Sequence, residues 1–245
     1  MTAHTAIPEE TTLDELDVLV IAPHPDDEVL GCGGSIINHL AAGRRTGVAY
    51  LTSGEHASPT MSADRLGPLR EDEARAATDV LGMPADNVEF LRIGDGSISP
   101  ADLAQMGTVM ELLRRRRPRL LYLPHPREPY DHRAAFELCW RAAGMAGSGN
   151  YPQHGVRPHW VETILGYEVW TPISHPEYGE DITPVLDQRT AALAQYGSQS
   201  AAAKGDGQAD YIGQAARFLP GYRGAMSVGG YREAFQVLRL GRVIV

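Results

Sequence analysis

The stretch Ala22-Pro23-His24-Pro25-Asp26-Asp27-Glu28 sets a histidine and three carboxylates directly after an apolar run, Leu16 to Ala22, that reads as a buried strand. Carboxylates crowded at such a strand end repel one another and are costly to take out of water, so solvent or a cation must sit beside them. A divalent metal satisfies both demands. His24 and Asp27 offer one nitrogen and one oxygen of the kind zinc accepts, and Asp26 is left as a carboxylate beside any water the metal carries. Glu28 is expected to shape the turn or accept backbone hydrogen bonds rather than bind metal.

Further along, apolar runs alternate with helical patterns. Strands are expected at Leu16 to Ala22, Gly47 to Thr52, Val88 to Ile93, Leu120 to Leu123 and Thr163 to Trp170. Helices are expected at Gly34 to Ala42, Leu69 to Leu81, Asp102 to Arg117 and Pro184 to Tyr196, with Gly82-Met83-Pro84 and Pro118 as stops. This rhythm predicts an α/β, Rossmann-like fold: a mainly parallel sheet flanked by helices on both faces. The Gly- and Pro-rich sequence after residue 144 predicts an irregular C-terminal part forming the substrate wall and lid. The 245 residues are expected to form one domain, 1–245, with a flexible tail over 1–12 and a mobile loop over 197–213.

In an open parallel sheet, ligands bind outside the carboxyl ends of the strands near the topological switch point. His24 to Glu28 falls there, as do Ser53-Gly54-Glu55-His56, Gly94-Asp95-Gly96 and His125 to His132. Two ligands do not complete a zinc site, and His132, in Tyr130-Asp131-His132-Arg133, is the best third. Asp131 beside it is expected to support it from the second coordination sphere. Two histidines and one carboxylate leave a coordination position for water, which marks a catalytic site, and the same set suits Fe2+ as well as Zn2+.

These residues resemble the LmbE-like, or PIG-L-like, N-acetylglucosaminyl deacetylases. The family signature A-H-P-D-D-E is matched by PHPDDE at 23–28, and H-P-D-H-R-A-A in part by PYDHRAA at 129–135. Weaker likenesses run through LREDEARAATDVLG (69–82), GDG (94–96), YEVWTP (167–172) and QYGSQ (195–199). The resemblance implies a zinc-dependent amide hydrolase that removes an acetyl group from an N-acetylglucosamine-type substrate, with His24, Asp27 and His132 as ligands and Asp26 as general base. It further implies that Arg70 and Asp95 contact the sugar. Read without the family, Arg70 is a surface partner of Glu73 or Asp72, and Asp95 is turn chemistry. The family often carries a histidine three residues before its last ligand. Pro129 stands there in this chain, and His125 is the replacement to test.

Other readings fare less well. Gly31-Cys32-Gly33-Gly34 invites a nucleotide or methyl-donor site, but the preceding acids would repel a pyrophosphate and Ile36 stands where the last glycine of G-x-G-x-x-G belongs. A non-catalytic metal- or sugar-binding relative would not need Asp26, and an amidase acting on a thiol conjugate remains open within the enzyme class. A net charge of −9 argues against nucleic acid as a partner, and the Arg114 to Arg117 run is expected to finish a helix. Two cysteines make no disulfide framework, and neither a signal-peptide core nor an apolar run long enough to span a membrane occurs. A cytoplasmic protein acting on a small amino-sugar substrate is therefore expected. Homo-oligomers occur in the family, though no interface signature fixes a number.

Overall fold

A computed structural model describes residues 15–199 and 211–241. Its framework is a seven-stranded sheet in the order β3-β2-β1-β4-β5-β7-β6. Strands β1 (Val18–Ala22), β2 (Thr46–Tyr50), β3 (Val88–Phe90), β4 (Leu120–Pro124) and β5 (Thr163–Tyr167) are parallel. Strand β7 (Arg232–Arg239) slots between β5 and β6 (Tyr178–Asp181), antiparallel to both. The helices are α1 (Asp27–Ala41), α2 (Ala63–Leu81), α3 (Leu103–Arg116), α4 (Tyr130–Ala146), α5 (Leu186–Leu193) and α6 (Tyr211–Ala225).

All five residues of β1 are buried because both faces of the sheet are covered. Val18, Val20 and Ala22 join a core with residues of α1, α2 and α5, and Leu19 and Ile21 join a second core with α3 and α4. Val18 pairs in register with both Thr46 and Leu120. The chain runs outward from β1 through β2 to β3, then returns to β4 on the other side, which makes the β1/β4 boundary the switch point.

Local chemistry sets the helix ends. Asp102 accepts from the N–H groups of Ala104 and Gln105 at 2.8 and 3.1 Å and so caps α3, which stops at Arg117 in a left-handed conformation before Pro118. Helix α2 starts at Ala63, six residues ahead of the expected Leu69, and runs through Pro68. Helix α1 begins at Asp27 rather than Gly34 but is broken inside: Cys32 has φ −147° and ψ 18°. Beyond the break, the Glu233 carboxylate accepts from the N–H groups of Gly34 and Ser35, both at 2.8 Å, and acts as a cap supplied from β7. Arg189 of α5, wholly buried, donates through Nε to the same carboxylate at 2.9 Å.

The region after residue 144 is more regular than its composition implies. It contributes β5, β6, β7, α5 and α6, because long-range pairing with β5 orders sequence that carries little periodicity of its own. The 1–12 tail and most of the 197–213 loop lie outside the described residues, but 211–213 belong to α6. Cys32 and Cys139 are buried and unpaired. No helix among the described residues is long and apolar enough to cross a membrane.

Candidate active site

Five strand ends converge on one cavity of about 520 Å3, lined among others by His24, Asp26, Asp27, His56, Arg70 and Trp170. His24 and Asp27 arrive on the turn after β1, His56 after β2, Asp95 after β3, His132 at the start of α4 after β4, and Trp170 after β5. Alignment of the parallel strands brings residues more than a hundred positions apart to one rim.

The structure brings the three expected ligands together. Asp27 Oδ2 lies 3.3 Å from His24 Nδ1 and 3.5 Å from His132 Nε2, and ligand atoms of the three residues fall within 4.8 Å of one another. His132 Nδ1 is buried with no hydrogen-bond partner among the described residues. A nitrogen, an oxygen and a second nitrogen gathered on one buried carboxylate form a donor set that fits a zinc or ferrous ion. Burial alone would raise the Asp27 carboxyl, but the two histidines hold it below the usual carboxylate range. Burial likewise works against a charged His24, yet Asp131, Asp27 and Asp95 outweigh it and keep the ring well above the ordinary histidine value.

Asp26 shares the cavity but stands outside this trio. Its backbone has φ 118°, a left-handed value costly for a side chain with a Cβ, and its N–H donates to Glu28 Oε2 at 3.1 Å. Burial pushes the Asp26 carboxyl up to about 8, opposed by the Arg70 guanidinium 3.2 Å away and reinforced by Asp27. Glu28 is fully buried, accepts the Tyr196 hydroxyl, and takes no part in the metal-ligand group. Its burial raises the carboxyl to about 7.

Arg70 is not a surface partner of Glu73 or Asp72. It is 3 % exposed, donates to the carbonyls of Gly54 and Pro25 as well as to Asp26, and forms the wall that orients Asp26. Asp95 lines the cavity with both oxygens engaged: Oδ1 is 3.2 Å from His24 Nε2, and Oδ2 accepts the His56 N–H at 2.9 Å. Burial works against its charge, but His24 and His56 bring the carboxyl down to about 2. Asp131 serves a different ring from the one expected. Its Oδ2 lies 3.4 Å from His24 Nε2 and accepts the Gly96 N–H at 2.8 Å, because one step along a helix turns a side chain about 100° away from its neighbour, here His132.

His125 is not brought to this cavity. Its backbone N–H still pairs with Tyr167 O at 2.8 Å as an extension of the sheet, and its Nε2 lies 2.7 Å from Thr171 O. It lines a separate cleft of about 90 Å3 with Arg127 and His175. Sequence reasoning places the His56 segment on the rim but gives that residue no role, and it does not single out Tyr130, Trp170 or Gln199, which also line the cavity. Tyr130 is 92 % exposed at φ 49°, and Trp170 is held by Glu128, whose buried carboxylate accepts the N–H groups of Val169, Trp170 and Thr171.

The chain is similar to diacetylchitobiose deacetylase of Thermococcus kodakarensis, 28% identical over 196 residues, covering 76% of this chain and 71% of the relative. Among solved structures it is similar to the conserved protein TT1542 of Thermus thermophilus, with a TM-score of 0.78 and 32% identity over 94% of this chain and 96% of that one. It also resembles a 4-carboxy-2-hydroxymuconate hydratase from Pseudomonas putida, with a TM-score of 0.77 and 26% identity over 93% and 98% of the two chains. The family model for PIG-L, GlcNAc-PI de-N-acetylase, matches residues 19–143, which span both the His24–Asp27 turn and His132, and the chain belongs to that family.

Proposed function

We propose that the protein is a zinc-dependent hydrolase that removes the acetyl group from the amide of an N-acetylglucosamine-type substrate. The observation that carries this reading is the buried Asp26 carboxylate, fixed by Arg70 beside the His24, Asp27 and His132 donors and in the same cavity. His24, Asp27 and His132 would hold the ion. When bound, such an ion supplies Lewis-acid polarisation of the amide carbonyl and acidifies water.

In this reading Asp26 in its ionised form accepts a proton from water as the water oxygen adds to the acetamide carbon, and returns that proton to the amine as the C–N bond breaks. Water and amide thus give acetate and a free amino sugar. Arg70 keeps Asp26 aimed, and Asp95 and Asp131 hold the far nitrogen of His24. Trp170 and Tyr130 offer aromatic surface at the cavity mouth on which a sugar ring can lie.

The relative that hydrates 4-carboxy-2-hydroxymuconate supports a second reading, hydration of an anionic substrate. The cavity disfavours it. Asp27, Asp95 and Asp131 line it beside Asp26, and the single guanidinium among the described lining residues, Arg70, is already committed to two carbonyls and Asp26. Among the described residues no uncommitted guanidinium lines the cavity to pair with the carboxylates of such a substrate.

Acetate release from N,N'-diacetylchitobiose and N-acetylglucosamine by metal-loaded protein tests the proposal. Chelation should abolish release and zinc restore it, and Asp26→Asn should lower kcat by about 10²- to 10⁴-fold at unchanged metal content. A fully loaded wild type inert towards both amides, or Asp26→Asn at the wild-type rate, would overturn it.

A further inference from the structure

Among the described residues, His56 is the one histidine lining the cavity that belongs neither to the three-ligand set nor to its charged supports. It is exposed, on the loop after β2, and tied to the β3 loop by reciprocal bonds. Its backbone N–H donates to Asp95 Oδ2 at 2.9 Å, its Nδ1 lies 3.0 Å from the Asp95 backbone carbonyl, and the Asp95 N–H donates to Glu55 Oε1 at 2.9 Å. A carbonyl oxygen only accepts. Nδ1 must therefore carry the hydrogen, and in the neutral ring Nε2 is left as a lone-pair acceptor. No described residue satisfies that nitrogen.

We propose that His56 is a substrate-binding residue whose Nε2 accepts a hydrogen bond from a hydroxyl group of a neutral, polyhydroxylated substrate. The inference deepens the reading of the cavity as an amino-sugar site and rests on it. Three hydrogen bonds hold the ring and its loop before substrate arrives, so little rotamer freedom remains to be lost on binding. The acceptor character of Nε2 also selects. In the neutral ring it pairs with hydroxyl or amine donors.

A bond of this kind acts alike on bound substrate and transition state, so its loss belongs in KM and not in kcat. With zinc-loaded enzyme and N,N'-diacetylchitobiose, His56→Phe should raise KM about 3- to 10-fold and leave kcat within about 2-fold. Nitrogen-15 spectra of the wild-type imidazoles supply a readout that a merely structural histidine would not move. His56 should appear as the Nδ1–H tautomer, and its Nε2 resonance should shift when N-acetylglucosamine is added. Unchanged KM in a folded His56→Phe protein, or an Nε2 signal indifferent to saturating sugar, would overturn the assignment. If His56→Phe fails to fold, the wild-type spectra decide alone. Failure of the hydrolase reading looks different: loaded wild type would release no acetate at all.

Discussion

The Glu233 carboxylate is the strongest test of how this fold holds the broken helix α1. It accepts from Gly34 N, Ser35 N and the Ser35 hydroxyl at 2.8, 2.8 and 2.7 Å, and from Arg189 Nε at 2.9 Å, with Glu233 3 % exposed and Arg189 fully buried. Glu233→Gln keeps the shape but turns one acceptor oxygen into an amide group that faces donors. It also leaves the Arg189 charge buried opposite a neutral group. Removing one partner of a buried pair costs about 3–5 kcal/mol. Domains of this size lose about 2–4 °C in Tm per kcal/mol, so a fall of roughly 6–20 °C is expected. Urea unfolding at pH 7 followed by far-UV circular dichroism should show a lower midpoint with unchanged slope. Adding Arg189→Met should recover part of the loss, since the stranded charge is then gone. A Glu233→Gln protein within about 1 kcal/mol of wild type would refute the argument that this pair holds the broken helix.

Two further outcomes follow from the geometry. Gly54 sits at φ 61°, and a methyl group there would overlap the Arg70 guanidinium, so Gly54→Ala should displace Arg70, release Asp26 and lower kcat by about 10²-fold or more. Gly82→Ala, at φ 88° but facing open space, should leave kcat unchanged and cost only about 1 kcal/mol of stability; equal kinetics for the two variants would exclude the Arg70 explanation. His39 is driven down to about 4 by burial and by Arg44, and its neutral ring bonds Tyr122 and Arg44. The unfolded chain binds the extra proton first, so this contribution is complete above pH 6.5 and lost as pH falls from there to about 4. It amounts to about 3 kcal/mol, and His39→Gln should flatten the pH dependence of urea stability over that window; parallel curves would refute it.

Much of the frame is legible in the sequence because the parallel strands are short apolar runs with clear stops. Expected Val88 to Ile93 and Leu120 to Leu123 correspond to Val88–Phe90 and Leu120–Pro124. Helix α4 escapes notice because its buried stripe, Ala135, Leu138, Cys139, Ala142 and Ala146, consists mostly of small residues that contrast weakly with their neighbours. Strand β6, Tyr-Gly-Glu-Asp, is a polar edge, and β7 mixes charges with apolar residues, so pairing rather than pattern makes them strands. The arginine run at 114–117 reads as a helix end, yet Arg114 is buried and donates to backbone carbonyls of Ala146, Ser148, Asn150, Tyr151 and Gly155. At the site, His24, Asp27 and His132 can be named from motifs, whereas the Asp131 pairing, the exclusion of His125 and the Glu233 cap depend on directions that only the assembled sheet fixes.

The insertion of β7 between β5 and β6 has a consequence for biosynthesis. Glu233 lies 199 positions after the Gly34 amide it caps, so a chain leaving the ribosome carries the part of α1 beyond the Cys32 break uncapped until residue 233 has emerged. Until then β5 and β6 cannot be bridged and present bare edges to solvent or to a chaperone. Completion of the sheet is thereby postponed until β7 has been made.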